Sequence, residues 1–86
     1  MNSFLLVEDD PSIQALISMI ADQYGRVATA SCALEAKKQA TIQRPDLVII
    51  DLYLHGDLQG VELIHYFESK EITTIVLSSE TLPEIV

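Results

Sequence analysis

Residues 4–11 have the sequence FLLVEDDP, in which an apolar run leads directly into three carboxylates and a proline. A short apolar run bounded by polar residues is typical of a strand that is buried on both faces, as in a parallel sheet. A second such run, residues 47–50, ends in the same way at Asp51. Ligands of open α/β sheets bind outside the carboxyl ends of the strands. If the two strands are neighbours, Glu8, Asp9 and Asp51 therefore meet at the ligand-binding edge of the sheet.

This cluster of carboxylates predicts a cation-binding site. Like charges at close range cannot all stay ionised unless a cation joins them. A site made only of oxygen ligands favours a hard ion such as Mg²⁺. Asp51 follows a different strand from the other two carboxylates and stands apart as a candidate nucleophile. The predicted site is thus an acidic Mg²⁺ site with one reactive carboxylate.

Length, composition and charge limit the class of protein. The 86 residues allow one domain with a modest core, and a hydrophobic content of 49% is too high for a disordered chain. The 13 acidic residues outnumber the 5 basic ones, and this net charge of −8 argues against direct nucleic-acid binding by this segment. No apolar stretch is long enough to span a membrane. The single Cys32 cannot form an internal disulfide, which is consistent with a cytoplasmic location.

Strands and helices are predicted to alternate along the chain. Strands are predicted at residues 3–7, 26–29, 46–51 and 73–77. The first helix is predicted from Asp10 as N-cap and Pro11 as first helical residue to Gly25. A second is predicted from Ser31 as N-cap to about residue 44, before a proline, and a third over residues 61–69. This alternation implies right-handed parallel crossovers, with helices on both faces of an α/β sheet.

Each predicted helix has a face suited to packing on the sheet, identified by helical spacing. These faces consist of Ile13, Leu16, Ile17 and Ile20 in the first helix, Ala33, Ala36 and Ala40 in the second, and Val61, Ile64 and Phe67 in the third.

Three motifs in register resemble the receiver domain of bacterial response regulators. They are residues 4–13, residues 44–54 followed by 60–64, and residues 73–79. The resemblance covers the whole chain and identifies residues 1–86 as one receiver domain that ends before the last strand and helix of the family. It implies a flavodoxin-like, doubly wound parallel sheet with strand order 2-1-3-4.

The resemblance also implies roles for individual residues. Asp51 would accept a phosphoryl group from a histidine kinase or phosphotransfer protein, and Ser78 would hydrogen-bond that group and couple it to a conformational change. Glu8, Asp9, Asp51 and the backbone carbonyl of Tyr53 would hold Mg²⁺. Aspartyl phosphate formation with a metal ion is consistent with the chemistry of carboxylate nucleophiles. The implied function is a phosphorylation-controlled switch rather than an enzyme.

Three departures from the family pattern leave a second interpretation open. His55 stands where the family has a proline, residues 56–59 form a loop one residue longer than usual, and no lysine can take the place of the one on the fifth strand. The alternative is a degenerate receiver that acts as a phosphorylation-independent interaction module. A phosphatase of the haloacid dehalogenase type is discounted, because Tyr53 stands where those enzymes have a second aspartate.

The same resemblance predicts association. Without a fifth strand and last helix, the fourth strand and the apolar face of the first helix would lack cover. Exposed strand edges and large apolar patches are sites of protein association. We expect a homodimer, formed edge to edge through the fourth strand or by exchange of the C-terminal segment.

Overall fold

Four strands and three helices alternate along the chain, in a computed structural model that describes residues 2–51 and 57–77, except for the side chains of residues 57–59. The strands are β1 (Ser3–Val7), β2 (Arg26–Ala30), β3 (Leu47–Asp51) and β4 (Thr73–Leu77). The helices are α1 (Pro11–Ala21), α2 (Ala33–Ile42) and α3 (Asp57–Ser69). The predicted bounds of β1 and β4 are confirmed. β2 extends one residue further than predicted, and β3 begins one residue later.

All strand pairs are parallel, and the order in the sheet is β2-β1-β3-β4. The predicted α/β fold and strand order are therefore confirmed. Val7, at the end of β1, lies opposite Ala30 on one side and Ile50 on the other. Strand order reverses between β1 and β3, so their carboxyl ends flank the crevice where such sheets bind ligands.

The main core lies between the sheet and the α2–α3 pair. It consists of buried residues from the strands, both helices and the segment before β4: Leu5, Val7, Ala30, Val48, Ile50, Ala36, Leu63, Phe67 and Ile72. The helix α1 contacts β1 and β2. Leu6 is buried but does not belong to this core, because successive residues of a strand point to opposite faces. The prediction of helices on both faces is therefore borne out by α1 and the α2–α3 pair.

The first helix begins as predicted but ends early. The Asp10 side chain accepts hydrogen bonds from the N–H groups of Ser12 (2.8 Å) and Ile13 (3.2 Å) and so caps the helix. The helix ends at Ala21, four residues before Gly25, because the N–H groups of Gln23 and Tyr24 bond three residues back rather than four and tighten the last turn. Gly25 serves a different purpose: a Cβ there would lie 2.3 Å from the carbonyl oxygen of Asn2.

The second helix differs from its prediction at both ends. Cys32 is the N-cap residue and makes no side-chain capping bond, so Ser31 as cap was wrong. The N–H of Ser31 instead donates to Glu35 Oε1 at 2.8 Å. The helix ends at Ile42 rather than near residue 44. The predicted small-residue face is confirmed, since Ala36 is fully buried and its two alanine neighbours pack against the core.

The third helix starts four residues earlier than predicted, at Asp57. Its buried residues are Gly60, Leu63 and Phe67, whereas Val61 is 43% exposed. The prediction that Val61 faces inward was wrong, because positions 61 and 63 lie on opposite sides of a helix with 3.6 residues per turn. Ile64 is half-buried at the border of this face. Within the described residues, no helix is both long and apolar enough to cross a membrane.

Candidate functional site at the strand ends

Glu8 follows β1 directly and is held by its backbone on two sides. Its N–H donates to the carbonyl oxygen of Ala30 at 3.0 Å, which extends the pairing of β1 with β2 by one bond. Its carbonyl oxygen accepts a hydrogen bond from Gln14 Nε2 on α1, also at 3.0 Å. Only 2% of Glu8 is exposed. The backbone thus fixes an almost fully buried carboxyl group at the carboxyl end of the central strands.

The Glu8 side chain is bonded to both neighbouring segments. Its Oε2 accepts a hydrogen bond from the N–H of Asp10 at 3.0 Å, and the carboxyl group also shares a hydrogen bond with Asp51. Burial first, then the hydrogen bond to Asp51 and the charges of Asp51 and Asp9, together raise the pKa of Glu8 to about 7, against the opposing effect of the Asp10 N–H. The protonated carboxyl group of Glu8 therefore donates the hydrogen bond, and an oxygen of Asp51 accepts it.

Asp51 is the last residue of β3 and is half-buried. It pairs with Leu77 of β4, the residue immediately before Ser78 in the chain. The structure therefore brings Glu8 and Asp51 together, and places Asp9 close enough for its charge to act on Glu8. Tyr53, His55 and Ser78 lie outside the described residues, and their predicted roles stay predictions.

The donor chemistry of this cluster suits Mg²⁺. Its side chains offer only oxygen atoms, which are the ligands of hard cations. The raised pKa of Glu8 means that the ionised carboxylate is unfavourable at this position, and a bound cation would stabilise that ionised form. Within residues 2–51 and 57–77, no group of three His, Cys, Asp or Glu side chains is arranged to hold a metal ion. The predicted ligand set includes Tyr53, which is not among these residues, so the metal site stays a prediction.

Sequence reasoning missed Gln14 as part of this site. The N–H of Gln14 bonds to the carbonyl oxygen of Asp10, so it lies one helical turn after the N-cap. Its amide also bonds to the backbone of Glu8 and ties α1 to the acidic cluster. The available signal was its spacing: a polar residue one turn after an N-cap at a strand end faces back toward that strand.

The family model for the response regulator receiver domain matches residues 4–85. The chain belongs to this family. Receiver domains are in general switch modules rather than enzymes. The flavodoxin-like, doubly wound fold seen here is that of its structural neighbours.

Two bacterial regulatory proteins are similar to this chain along most of its length. The transcriptional regulatory protein AfsQ1 of Streptomyces coelicolor is 35% identical over 78 residues, which are 90% of this chain and 34% of that protein. The nitrogen assimilation regulatory protein NtrX of Azorhizobium caulinodans is 32% identical over 81 residues, or 90% of this chain and 18% of that protein. The chain thus spans about a third or less of these relatives.

Solved receiver domains have the same fold. The non-phosphorylated receiver domain of HemR from Leptospira biflexa has a TM-score of 0.80 at 26% identity, and the alignment covers 93% of this chain and 66% of that one. The receiver domain of a modulated diguanylate cyclase from Desulfovibrio desulfuricans has a TM-score of 0.83 at 26% identity, covering 98% of this chain and 70% of that one.

Proposed function

We propose that this domain accepts a phosphoryl group on Asp51 from the phosphohistidine of a histidine kinase or phosphotransfer protein and acts as a phosphorylation-controlled switch. One observation carries the proposal: Glu8, only 2% exposed, shares a hydrogen bond with Asp51 at the point where strand order reverses. Family membership supports the same function. A cytoplasmic location, without direct binding to nucleic acid, belongs to the proposal because of the unpaired Cys32 and the net charge of −8.

The transfer would proceed by displacement at phosphorus. An ionised oxygen of Asp51 forms the new P–O bond while the P–N bond of the phosphohistidine breaks, and the released imidazole nitrogen keeps the electron pair and takes up a proton. Asp51 must therefore be ionised. The hydrogen bond between Glu8 and Asp51 fits this role, because the raised pKa of Glu8 makes Glu8 the donor and Asp51 the acceptor.

The proposed Mg²⁺ ligands are Glu8, Asp9, Asp51 and the backbone carbonyl of Tyr53. When bound, the ion would supply positive charge for the phosphoryl oxygens. Ser78 is proposed to donate a hydrogen bond to one of these oxygens and so to link phosphorylation to a change in conformation.

The test is labelling with a small phosphodonor, acetyl phosphate, in the presence of Mg²⁺. Intact mass spectrometry is expected to detect one added phosphoryl group per chain. Borohydride reduction of the acyl phosphate is expected to release that group as inorganic phosphate and to convert the labelled aspartate into homoserine. Asp51→Asn is expected to abolish labelling, while Asp22→Asn, a change at the C-cap of α1, leaves it intact. Labelling that persists in Asp51→Asn would contradict the assignment of the acceptor.

A second candidate function is a degenerate receiver that works as an interaction module without phosphorylation. The observation that favours it is that the described acidic side chains do not form a three-residue metal group. The same experiment separates the two. A folded chain that is not labelled by acetyl phosphate, and whose melting temperature does not respond to Mg²⁺, would favour the interaction module.

Association of two copies is part of the proposal as well. In β4, at one edge of the described sheet, Ile75 is 45% exposed and Leu77 is 39% exposed. On α1, Leu16 is 57% exposed and Ile20 is 54% exposed. Apolar surface of this extent favours burial against another chain. Light scattering at micromolar concentration is expected to give the mass of a dimer, and a stable folded monomer would contradict it.

A further inference from the structure

The few positive charges of this acidic chain are concentrated on one surface. Four of its five Lys and Arg residues lie on α2, just after α2, or just after α3: Lys37, Lys38, Arg44 and Lys70. We call these four residues, with Tyr66 between the two helices, the basic face. The fifth cation, Arg26, lines a different cavity together with Gln39 and Gln43. Because the net charge of the chain is −8, a surface region in which cations are clustered contrasts with the mainly acidic rest of the chain.

Two ammonium groups of the basic face converge on one aromatic ring. Lys37 Nζ lies 5.0 Å from the centre of the Tyr66 ring, and Lys70 Nζ lies 5.2 Å from it. Attraction to the ring electrons helps to hold each cation there. Because the two charges repel each other, an anion placed between them would be stabilised by both.

Arg44 adds a third positive charge in a fixed position. Its Nη2 donates to the carbonyl oxygens of Lys70 (2.8 Å) and Glu71 (3.2 Å). Arg44, Lys70, Tyr66 and Thr41 line a cavity of about 190 Å³ between α2 and the end of α3. This cavity is large enough for a carboxylate side chain, and two cations, Arg44 and Lys70, line it.

An apolar cavity adjoins the charged one. It is a shallow depression, open to solvent over most of its extent, with a volume of about 370 Å³, and it is lined by Leu34, Lys37, Lys38, Thr41 and Ile42 of α2. Thr41 lines both cavities, so the two lie next to each other. Leu34 is 66% exposed and Ile42 is 80% exposed. The surface therefore combines an apolar part and a positive part side by side.

We infer that the basic face binds an acidic segment of a partner protein, one that carries both carboxylates and apolar side chains. Charge complementarity selects this occupant: carboxylates match the cations around Tyr66, and an apolar side chain matches the cavity beside Leu34. A nucleic acid or an anionic membrane extends beyond the basic face and would meet the acidic remainder of the domain. A short segment meets mainly the basic face, because salt screens charges more than about 8 Å away at physiological ionic strength.

The probe for this inference is a fluorescein-labelled peptide of repeated Glu-Leu-Glu-Glu units, with a Lys-Leu-Lys-Lys peptide as its control. Fluorescence anisotropy with the full chain is expected to give saturable binding of the acidic peptide that weakens as salt rises. Lys37→Glu combined with Lys70→Glu is expected to weaken binding by about tenfold or more, whereas Arg replacements at both positions retain it. Arg26→Glu, which also reverses one charge, is expected to change binding less than about twofold.

Several outcomes would overturn the inference. They are failure of the acidic peptide to bind the wild-type chain, equal weakening by Arg26→Glu, or tighter binding of a DNA duplex or phosphatidylserine vesicles than of the peptide. Unchanged peptide binding accompanied by a shift of oligomeric state in the Lys37/Lys70 variants would make a second copy the occupant and would overturn it too. If the charge reversals impair folding, Lys37→Gln with Lys70→Gln replaces them, with the same loss expected. Phosphorylation at Asp51 is not required for any of these results.

Discussion

The two faces of the sheet are covered in different ways. On one face, α2 and α3 enclose Leu5, Val48 and Ile50 together with Leu63 and Phe67, all of which are essentially inaccessible. On the other face, α1 contacts β1 and β2, yet none of its own side chains is buried. The domain's packing energy is therefore concentrated on the α2–α3 face. The α1 face contributes a cap, a hydrogen bond to Glu8 and exposed apolar surface.

Truncating one apolar side chain on each face of the sheet is the most direct test of this difference in packing. Phe67→Ala removes a fully buried ring and is expected to lower the free energy of unfolding by about 3–5 kcal/mol. Leu16→Ala removes a side chain that is 57% exposed in the single chain. At protein concentrations low enough to keep the chain monomeric, it is expected to change the free energy of unfolding by less than about 0.5 kcal/mol. Urea unfolding followed by circular dichroism measures both.

If Phe67→Ala leaves too little folded protein to measure, Phe67→Leu gives a smaller loss in the same direction. Comparable losses in the Leu16 and Phe67 variants would mean that α1 is covered in solution, as it would be in a dimer. Repeating the Leu16→Ala measurement at several protein concentrations separates that case, because a dimer's stability depends on concentration.

The carboxylate cluster of Glu8, Asp9 and Asp51 differs from the core in that negative charges lie close together in a partly buried place, which is unfavourable. The raised pKa of Glu8, about 7 against an ordinary value of 4.5, means that the folded chain holds this proton more tightly than the unfolded chain. Its contribution to stability is therefore complete below about pH 4.5 and is lost as pH rises toward 7. In that window the free energy of unfolding is expected to fall by roughly 1 kcal/mol per pH unit from this group.

Glu8→Gln tests this pH dependence, because an amide can donate to Asp51 as the protonated acid does. The variant is expected to match the wild type near pH 4.5 and to exceed it in stability above pH 7. Glu62→Gln, an exposed glutamate on α3, is the control and is expected to leave the wild-type pH profile unchanged. If the stability of Glu8→Gln depends on pH in the same way as that of the wild type, Glu8 ionises normally in the folded chain.

Mg²⁺ is expected to relieve the same unfavourable charge. At pH 7.5, the ion at about ten times its dissociation constant would stabilise the wild type by about 1.4 kcal/mol and raise its melting temperature. Asp9→Ala and Asp51→Ala are expected to remove this response, and Glu62→Ala is expected to retain it. A wild-type chain that does not respond to Mg²⁺, under conditions where a longer receiver domain does, would count against the proposed ligand set.

The two faces also show which features could be predicted from the sequence. Apolar periodicity located every helix, and it correctly grouped Ile13, Leu16 and Ile20 on one side of α1. It could not show that this side stays exposed, because burial depends on what lies opposite. In α3, a face centred on Ile64 and one centred on Leu63 are both compatible with the sequence, and only packing against β3 and β4 decides between them.

The candidate site was predictable to a similar extent. Carboxylates at two strand ends gave Glu8 and Asp51, since parallel neighbours bring their carboxyl ends together. The hydrogen bond between the two and the contact of Gln14 with the backbone of Glu8 depend on tertiary geometry. The N-cap of α2 was missed because Glu35, not Ser31, supplies the side-chain oxygen at that end.

A small effect is expected at the end of α3, where the described chain has one non-glycine residue with a positive φ. Ile72 N–H bonds to the carbonyl oxygen of Phe67 and Glu71 N–H bonds to that of Glu68, the pattern of a Schellman motif. Glu71 is the residue in the left-handed region, with φ of 60°, where glycine is favoured. Glu71→Gly relieves this strain at some cost in unfolded-chain entropy and is expected to stabilise the domain by about 0.5–1 kcal/mol. Glu71→Ala keeps the Cβ and serves as the control, so equal stability of the two variants in urea unfolding would show that the side chain, rather than the backbone, determines the effect.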